Sequence, residues 1–308
     1  PFQQAGWGYF FLGSAAVMPR PDLNEELDDS QLTGTVKLAY HPNDNTLTYA
    51  SFATGYKAGG TNTDRILPSL SPLFDAEKSR SAEIGIKHDF EEYGVRVNAA
   101  AHYTQISDFQ ATTFTGTGFN LQNAGDIIVK GIELEATWLM TESTELHAVA
   151  SRTLANFDEF KRGTCWVAYT WHTGIDDPGR VEPNDPFCSR DGDRVGFEPQ
   201  NSLSLMLNHY FEVGNYPASA SIDYQYTGDV FLDDANDPYK YADDFSLFNV
   251  RVSFTIPQWD SEIIAWSRNV FDEEYVARSG FDVPVQTGKI MAYPGAPRSF
   301  GVTFRKSF

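Results

Sequence analysis

Apolar and polar residues alternate with a period of two along much of this chain. In residues 95–104, five side chains fall on one face, namely Val95, Val97, Ala99, Ala101 and Tyr103, and the other face is largely polar. The same alternation recurs in residues 218–226, 248–255 and 299–308. A period of two is typical of β-strands that carry one apolar face. The pattern therefore predicts an all-β protein.

Eleven antiparallel strands are predicted from residue 33 to the end of the chain. They cover residues 33–40, 46–55, 79–89, 95–104, 127–139, 145–154, 200–210, 218–226, 248–255, 261–269 and 299–308. A strand over Tyr9–Val17 would make twelve. The alternation is poor in 46–55, and Lys130 falls on the apolar side of its strand.

The connections between these strands alternate between short and long. The short ones are residues 41–45, 91–94, 141–144, 213–217 and 257–261, and the long ones are 57–78, 107–126, 155–198, 227–244 and 272–297. Outer-membrane barrels have tight periplasmic turns and long extracellular loops. This spacing favours a membrane barrel over a soluble β protein, which has no reason to place every long loop at one end.

Composition is compatible with that architecture and excludes other classes. The net charge of −19 argues against nucleic-acid binding, which needs clustered Lys and Arg. Mean hydropathy is −0.37, and the longest mostly apolar run, Tyr9–Met18, is too short for a spanning helix of about 20 residues. Barrel strands barely raise hydropathy, because only every second residue is apolar.

The polar faces of the predicted strands carry charges of both signs. These residues are Glu83, Lys87, Arg96, Glu133, Glu135, Asp223 and Arg251. Such a mixture suits the wet lumen of a barrel, whose apolar residues face lipid.

Five stretches resemble the C-terminal barrel of TonB-dependent outer-membrane receptors. They are LTYASFATGYKAGGTN (47–62), SRSAEIGIKHDF (79–90), NAGDIIVKGIELEATW (123–138), SRNVFDEEY (267–275) and RSFGVTFRKSF (298–308). Each match is weak by itself, but their order over most of the chain is specific. Val270 stands where the family has Leu, and Lys306 departs from the apolar pattern of the closing strand.

The resemblance implies an antiparallel transmembrane β-barrel, of which residues 1–308 would form the C-terminal half of twenty-two strands, without the plug domain and the N-terminal strands. It implies no enzyme activity and no cofactor. The implied function is TonB-energised uptake of a scarce nutrient, by default an iron–siderophore complex, with cobalamin, a glycan or passive porin-type diffusion as alternatives. The implied partners are outer-membrane lipid, lipopolysaccharide, a small-molecule ligand, and TonB through a region outside this chain.

Two other functional classes remain open on the sequence. A membrane-barrel enzyme would be a smaller closed barrel, and a soluble β-rich binding protein would bury its apolar face. The region upstream of Pro1 separates the receptor from a passive porin, which has no plug, because a plug with a transducer-binding segment identifies a receptor.

Cys165 and Cys188 lie 23 positions apart in the longest loop and are expected to form a disulfide. Two free thiols, or a metal site that includes His172, are the alternatives, although a fourth ligand at a recognisable spacing is missing. The acidic pairs Asp176/Asp177, Asp233/Asp234 and Asp243/Asp244 are interpreted as solvated loop charge, with divalent-ion binding as the alternative.

Aromatic residues supply the remaining candidates. The loop residues Tyr169, Trp171, Tyr239 and Tyr241 are candidates for ligand contact. Phe308, on the same alternating strand as Phe304, resembles the terminal signal that the outer-membrane assembly machinery reads. Its plainer interpretation is a lipid-facing side chain at the end of the barrel.

Overall fold

The computed structural model describes residues 24–62, 71–114, 119–123, 125–183, 185, 187–282 and 286–307. The expected strand over Tyr9–Val17 and the terminal Phe308 lie outside these residues. No helix within the described ranges is long and apolar enough to cross a membrane.

Eleven strands form one antiparallel sheet in which each strand pairs with its neighbours in sequence. They are β1 (Gly34–Asn43), β2 (Thr46–Lys57), β3 (Glu77–Phe90), β4 (Val95–Ser107), β5 (Asp126–Thr141), β6 (Thr144–Glu159), β7 (Asn201–Val213), β8 (Tyr216–Thr227), β9 (Phe245–Ile256), β10 (Ser261–Arg268) and β11 (Ser299–Lys306). The predicted number of strands, their order and their antiparallel pairing are confirmed. Because β1 and β11 are the two edges, the sheet is an open section of barrel wall.

The connections confirm the predicted asymmetry. Residues 44–45, 91–94, 142–143, 214–215 and 257–260 form the short turns at one end, and every other connection is long. Gly94 closes one short turn at a φ of 60°, in the left-handed region that glycine adopts without strain. Sequence reasoning missed the short ribbons within the long loops, such as Gln110–Phe114 paired with Phe119–Asn123.

The register of the sheet separates an apolar face from a polar one. Ile84 lies opposite Ala101, and Ala101 lies opposite Ile132, so all three point to the same side. Ile84 and Ile132 are 63% and 60% exposed. An apolar face that stays exposed in the folded wall is expected where the solvent is hydrocarbon. We call it the outward face.

The opposite, inward face holds all seven charged residues that the alternation predicted to share a side. Tyr49 donates a hydrogen bond of 2.7 Å to Glu83, and Asn98 donates one of 2.9 Å to Glu135. These cross-strand bonds satisfy polar groups on the side that faces a lumen. The wall therefore has the polarity of a water-filled barrel.

A small apolar core lies at the long-loop end of the wall. It consists of Ala111, Ile127, Phe157 and Phe160, all at most 5% exposed. The Phe157 ring centroid lies 5.0 Å from that of Phe160. Burying an Ile or Phe side chain stabilises the fold by about 1.5–3 kcal/mol. The long loops thus pack on the sheet and provide a base for the site above it.

Candidate functional site

A short helix in the longest loop, Ala168–Thr173, is held by a residue from another loop. Val167 precedes the helix and offers no side-chain cap. The carboxylate of Asp237 accepts hydrogen bonds from the backbone N–H groups of Val167 (3.1 Å) and Ala168 (2.9 Å). It also accepts one from Tyr169 at 3.2 Å. A negative charge at a helix N-terminus satisfies unpaired donors and opposes the positive end of the helix dipole.

The loop of residues 228–244 presents Asp237 in a fixed conformation. The Asp237 carboxylate accepts a further bond of 3.0 Å from the backbone N–H of Tyr239, and the side chain is 0% exposed. Nearby, the Lys240 ammonium lies 2.8 Å from a carboxylate oxygen of Asp233. These contacts within the loop hold Asp237 next to the helix.

A buried ion pair ties the same two loops together. The guanidinium of Arg190, which is 2% exposed, lies 2.5 Å from Asp177 and also donates to the backbone carbonyl of Ala235. Losing one partner of such a pair costs about 3–5 kcal/mol, because a charge is left buried without compensation. The interpretation of the acidic pairs as solvated charge is therefore wrong for Asp177 and Asp233, which are structural.

Cys165 and Cys188 are bonded in the structure, with Cα atoms 5.1 Å apart. A carboxylate oxygen of Asp177 lies within 4.8 Å of the two sulfurs, a spacing that could suit a metal. Bonded sulfurs, however, provide no thiolate ligands. The Nε2 atom of His172 lies instead 2.8 Å from the Gly288 carbonyl oxygen, in a third loop.

An aromatic cluster covers the meeting point of these loops. It comprises Trp166, Tyr169, His172 and Tyr239, whose rings contact one another, together with Trp171, which adjoins them through Gly288 and not through a ring contact. The Tyr169 ring centroid lies 5.2 Å from that of Trp166 and 5.7 Å from that of Tyr239. His172 stacks on Tyr239, with ring centroids 5.0 Å apart and planes 23° from parallel.

The long loop between β10 and β11 approaches the aromatic cluster at Gly288. Gly288 adopts a φ of 81°, and a Cβ atom built on it would lie 2.0 Å from the Trp171 ring. Only glycine permits this close approach. Three loops that are distant in sequence thus contact one aromatic surface.

The structure brings three of the four predicted loop aromatics together. Tyr169, Trp171 and Tyr239 belong to the cluster, whereas Tyr241 packs against Phe231 at 5.3 Å. Sequence reasoning missed Trp166, which follows Cys165 directly, and His172 as a ring partner. It also had no signal for Asp237, whose role depends on a contact 69 positions away.

The cluster offers ring faces to solvent. Trp171 is 64% exposed and Tyr239 is 48% exposed, while Tyr169 is partly covered. Exposed aromatic faces bind planar or apolar groups by stacking, and cations through the ring quadrupole. The site is therefore suited to reversible binding of a ligand with flat rings.

Burial and ion pairing shift the pKa values of carboxyl groups near the site in opposite directions. Burial raises the pKa of the Asp233 and Asp234 carboxyls in the loop of residues 228–244. The hydrogen bond from Arg194 lowers the pKa of Asp229, which lies at the start of the same loop. One loop therefore holds carboxylates with opposite pH responses.

Comparison with known proteins places the wall in a family. The family model described as "TonB dependent receptor-like, beta-barrel" matches residues 13–270. The pesticin receptors of Yersinia pestis and Yersinia enterocolitica are 34% identical over 129 residues, which covers 41% of this chain and 18% of each relative.

Solved structures share the fold. The ferric yersiniabactin uptake receptor FyuA from Yersinia pestis has a TM-score of 0.69 at 22% identity, over 91% of this chain and 38% of that chain. The siderophore receptor PiuA from Acinetobacter baumannii has a TM-score of 0.62 at 16% identity, covering 88% and 35%. The copper transporter OprC has a TM-score of 0.62 at 15% identity, covering 90% and 39%. The chain thus spans less than half the length of these proteins.

Proposed function

Because the chain belongs to the TonB-dependent receptor-like β-barrel family, we propose that it is part of a receptor that takes up a scarce nutrient with energy supplied through TonB. The wall is a section of an integral β-barrel of the bacterial outer membrane. Residues 1–308 are proposed to form one barrel domain, with the plug and the TonB-binding segment in another part of the receptor.

The proposed ligand is an iron–siderophore complex with planar aromatic groups. One observation carries this proposal: three long loops converge on an aromatic cluster whose Trp171 and Tyr239 rings face solvent. FyuA, whose name states ferric yersiniabactin uptake, and PiuA, a siderophore receptor, are similar in fold. OprC is a copper transporter on the same fold, so the ligand class depends on the loops.

Each residue of the cluster has a proposed role. Trp171 and Tyr239 contact the ligand, because the two side chains are 64% and 48% exposed. Tyr169 supports Tyr239 from the side, at a centroid distance of 5.7 Å. Asp237 is a positioning residue, since it holds the helix and Tyr239 in place through backbone hydrogen bonds.

The test uses the intact receptor with the double substitution Trp171→Ala and Tyr239→Ala. Binding is measured for the ferric complexes of a phenolate and a catecholate siderophore, for cyanocobalamin and for a maltooligosaccharide. Two aromatic contacts at about 0.5–1.5 kcal/mol each predict about tenfold weaker binding of one ferric complex. Growth of a deletion strain on each nutrient as sole source identifies the transported class.

Trp259→Ala is the matched control, because Trp259 is 63% exposed in a short turn at the opposite end of the wall. It should leave binding unchanged. If the receptor bound only cyanocobalamin or only the maltooligosaccharide, that compound would be its ligand class and the siderophore proposal would be wrong. Unchanged affinity of the double variant for every probe would show that the aromatic cluster is not part of the binding site.

A further inference from the structure

We propose that Lys289 is a specificity-determining residue beside the aromatic cluster, and that it selects iron complexes that carry a peripheral carboxylate. The inference rests on the proposed uptake function. It adds one requirement on the ligand, namely a negative charge outside the groups that bind the metal.

The loop between β10 and β11 reaches the aromatic cluster through one tight turn, residues 286–289. The backbone N–H of Lys289 donates a hydrogen bond of 3.0 Å to the carbonyl oxygen of Gln286. Gly288, the third residue of the turn, has a φ of 81°, and a type II turn requires a positive φ at this position. The backbone position of Lys289 therefore follows from that of Gly288.

Two contacts hold this turn against the cluster. The Nε2–H of His172 donates a hydrogen bond of 2.8 Å to the carbonyl oxygen of Gly288. Gly288 also lies so close to the Trp171 ring that no side chain fits between them. Consecutive Cα atoms are about 3.8 Å apart, so Lys289 begins one residue from a ring that is proposed to contact the ligand. Its ammonium, on a flexible four-carbon stem, can reach a group bound beside that ring.

The other cations of the three converging loops are already neutralised. Carboxylates pair with most of them, in the pairs Lys161–Asp191, Arg180–Asp176, Arg190–Asp177, Arg194–Asp229, Lys240–Asp233 and Arg298–Asp272. Arg162 lies over the Phe187 ring, 4.1 Å from its centroid. Among the side chains of these loops that the structure describes, Lys289 is the one cation with neither a carboxylate nor a ring as partner, and it is exposed.

The same loops carry several carboxylates that are exposed and have no ion pair within the described part of the chain. They include Glu182, Glu198, Asp243 and Glu274. Charges of one sign around a binding site attract ligands of opposite charge and repel those of like charge. A complex with several negative charges spread over its surface is therefore repelled, whereas a single anionic group placed at Lys289 is attracted.

A carboxylate outside the metal-binding groups is the anionic group that fits this position. Oxygens that bind the ferric ion have their charge largely neutralised by it. A carboxylate at the edge of the complex keeps its charge and accepts a charge-assisted hydrogen bond from an ammonium. A ligand whose flat ring contacts Trp171 can then place this carboxylate at Lys289.

The test measures affinity by titration calorimetry on the intact receptor in detergent. The probes are the ferric complex of a phenolate siderophore with one peripheral carboxylate and the same complex with a carboxamide in its place. The wild type should bind the carboxylate form about fivefold more tightly, which corresponds to about 1 kcal/mol, the upper end for an exposed ion pair. Lys289→Gln should bind both forms equally, and Lys289→Arg should restore the preference. A merely structural role of Lys289 would instead weaken both forms alike.

Lys161→Gln is the matched control, because Lys161 is also an exposed loop lysine but is already paired with Asp191. It should keep the preference for the carboxylate form. In the wild type this preference should shrink at high ionic strength, since salt screens exposed charges.

Equal affinity of the wild type for the two forms, or a preference that persists in Lys289→Gln, would overturn the inference. The double substitution of Trp171 and Tyr239 by Ala should weaken both forms by the same factor. An effect of that double variant without an effect of Lys289→Gln would therefore overturn this inference alone. If the wild type bound neither form, this inference and the siderophore proposal would both be wrong.

Discussion

The Asp237 carboxylate accepts a hydrogen bond of 2.9 Å from the backbone N–H of Ala168, which lies 69 positions earlier in the chain. The two residues belong to different long loops. One loop lacks a cap for its helix, and the other holds a carboxylate that needs hydrogen-bond donors. The helix at Ala168 has no cap of its own. The fully buried Asp237 has no solvent to stabilise its charge. The pairing therefore makes one rigid platform from two segments.

Asp237→Asn should loosen this platform without changing its shape. The amide keeps the size of the carboxylate but loses its charge and one acceptor, so the cap weakens by about 1–2 kcal/mol. Hydrogen exchange at the backbone amides of 167–169 should become about 5–30-fold faster. Asp176→Asn is the control, because Asp176 is exposed and pairs with Arg180 at the surface. Equal protection in Asp237→Asn and the wild type would show that the cap does not order the helix.

Replacing both Cys165 and Cys188 with Ser should destabilise the longest loop and leave the wall intact. A bridge across this separation restricts the unfolded loop, an effect of about 3 kcal/mol. The variant should therefore be cleaved faster within residues 160–200 by an added protease, while its heat-modifiable migration stays that of the wild type. Thiol labelling without reductant provides an independent check, since modification of both cysteines in the wild type would remove the bridge.

The loop of residues 228–244 should respond to pH with two opposite signs. Burial raises the pKa of Asp234 in the folded loop, so its contribution to stability is fully present below the ordinary value of 3.8 and is lost as pH rises through the raised value. The pKa of Asp229 is lowered, chiefly by its hydrogen bond with Arg194, so its contribution is present above 3.8 and is lost as pH falls through the lowered value.

Asp234→Asn should therefore protect the loop at pH 7, and Asp229→Asn should weaken it at the same pH. Limited proteolysis of residues 228–244 between pH 3 and pH 8 measures both effects. The two variants serve as each other's control, since they lie in one loop and remove the same charge. A shift in the same direction for both would contradict the assignment of opposite causes.

Deleting Phe308 from the intact receptor should reduce its assembly in the outer membrane. The adjoining β11 presents Phe300, Phe304 and the aliphatic Val302 on the outward face, where all three are exposed. The proposed signal is the terminal aromatic that continues this pattern. Heat-modifiable migration after pulse labelling measures the fraction assembled, and Val302→Ala on the same face controls for lost lipid contact. Normal assembly of the deletion variant would leave Phe308 as an ordinary lipid-facing residue.

Much of the wall could be predicted because its signals are local. A side chain's face depends on whether its position is odd or even, so Glu133 and Ile132 separate without knowledge of any partner strand. The length of a connection can be read from consecutive residues alone. The end of the wall with short turns could therefore be told from the end with long loops. Lys130 is the exception to this alternation. In the structure it shares the outward face with Arg152, its diagonal neighbour on the next strand.

The chain's sequence by itself determined the strand number, the antiparallel order, the polarity of the two faces and the end that carries the long loops, because alternation and turn length act over a few residues. Only the tertiary structure decided which loop residues meet. Tyr239 and Tyr241 are both loop tyrosines, yet one joins the aromatic cluster and the other packs on Phe231. Contacts such as that of His172 with Gly288, 116 positions apart, depend on how separate loops close over one wall. No local pattern encodes that closure.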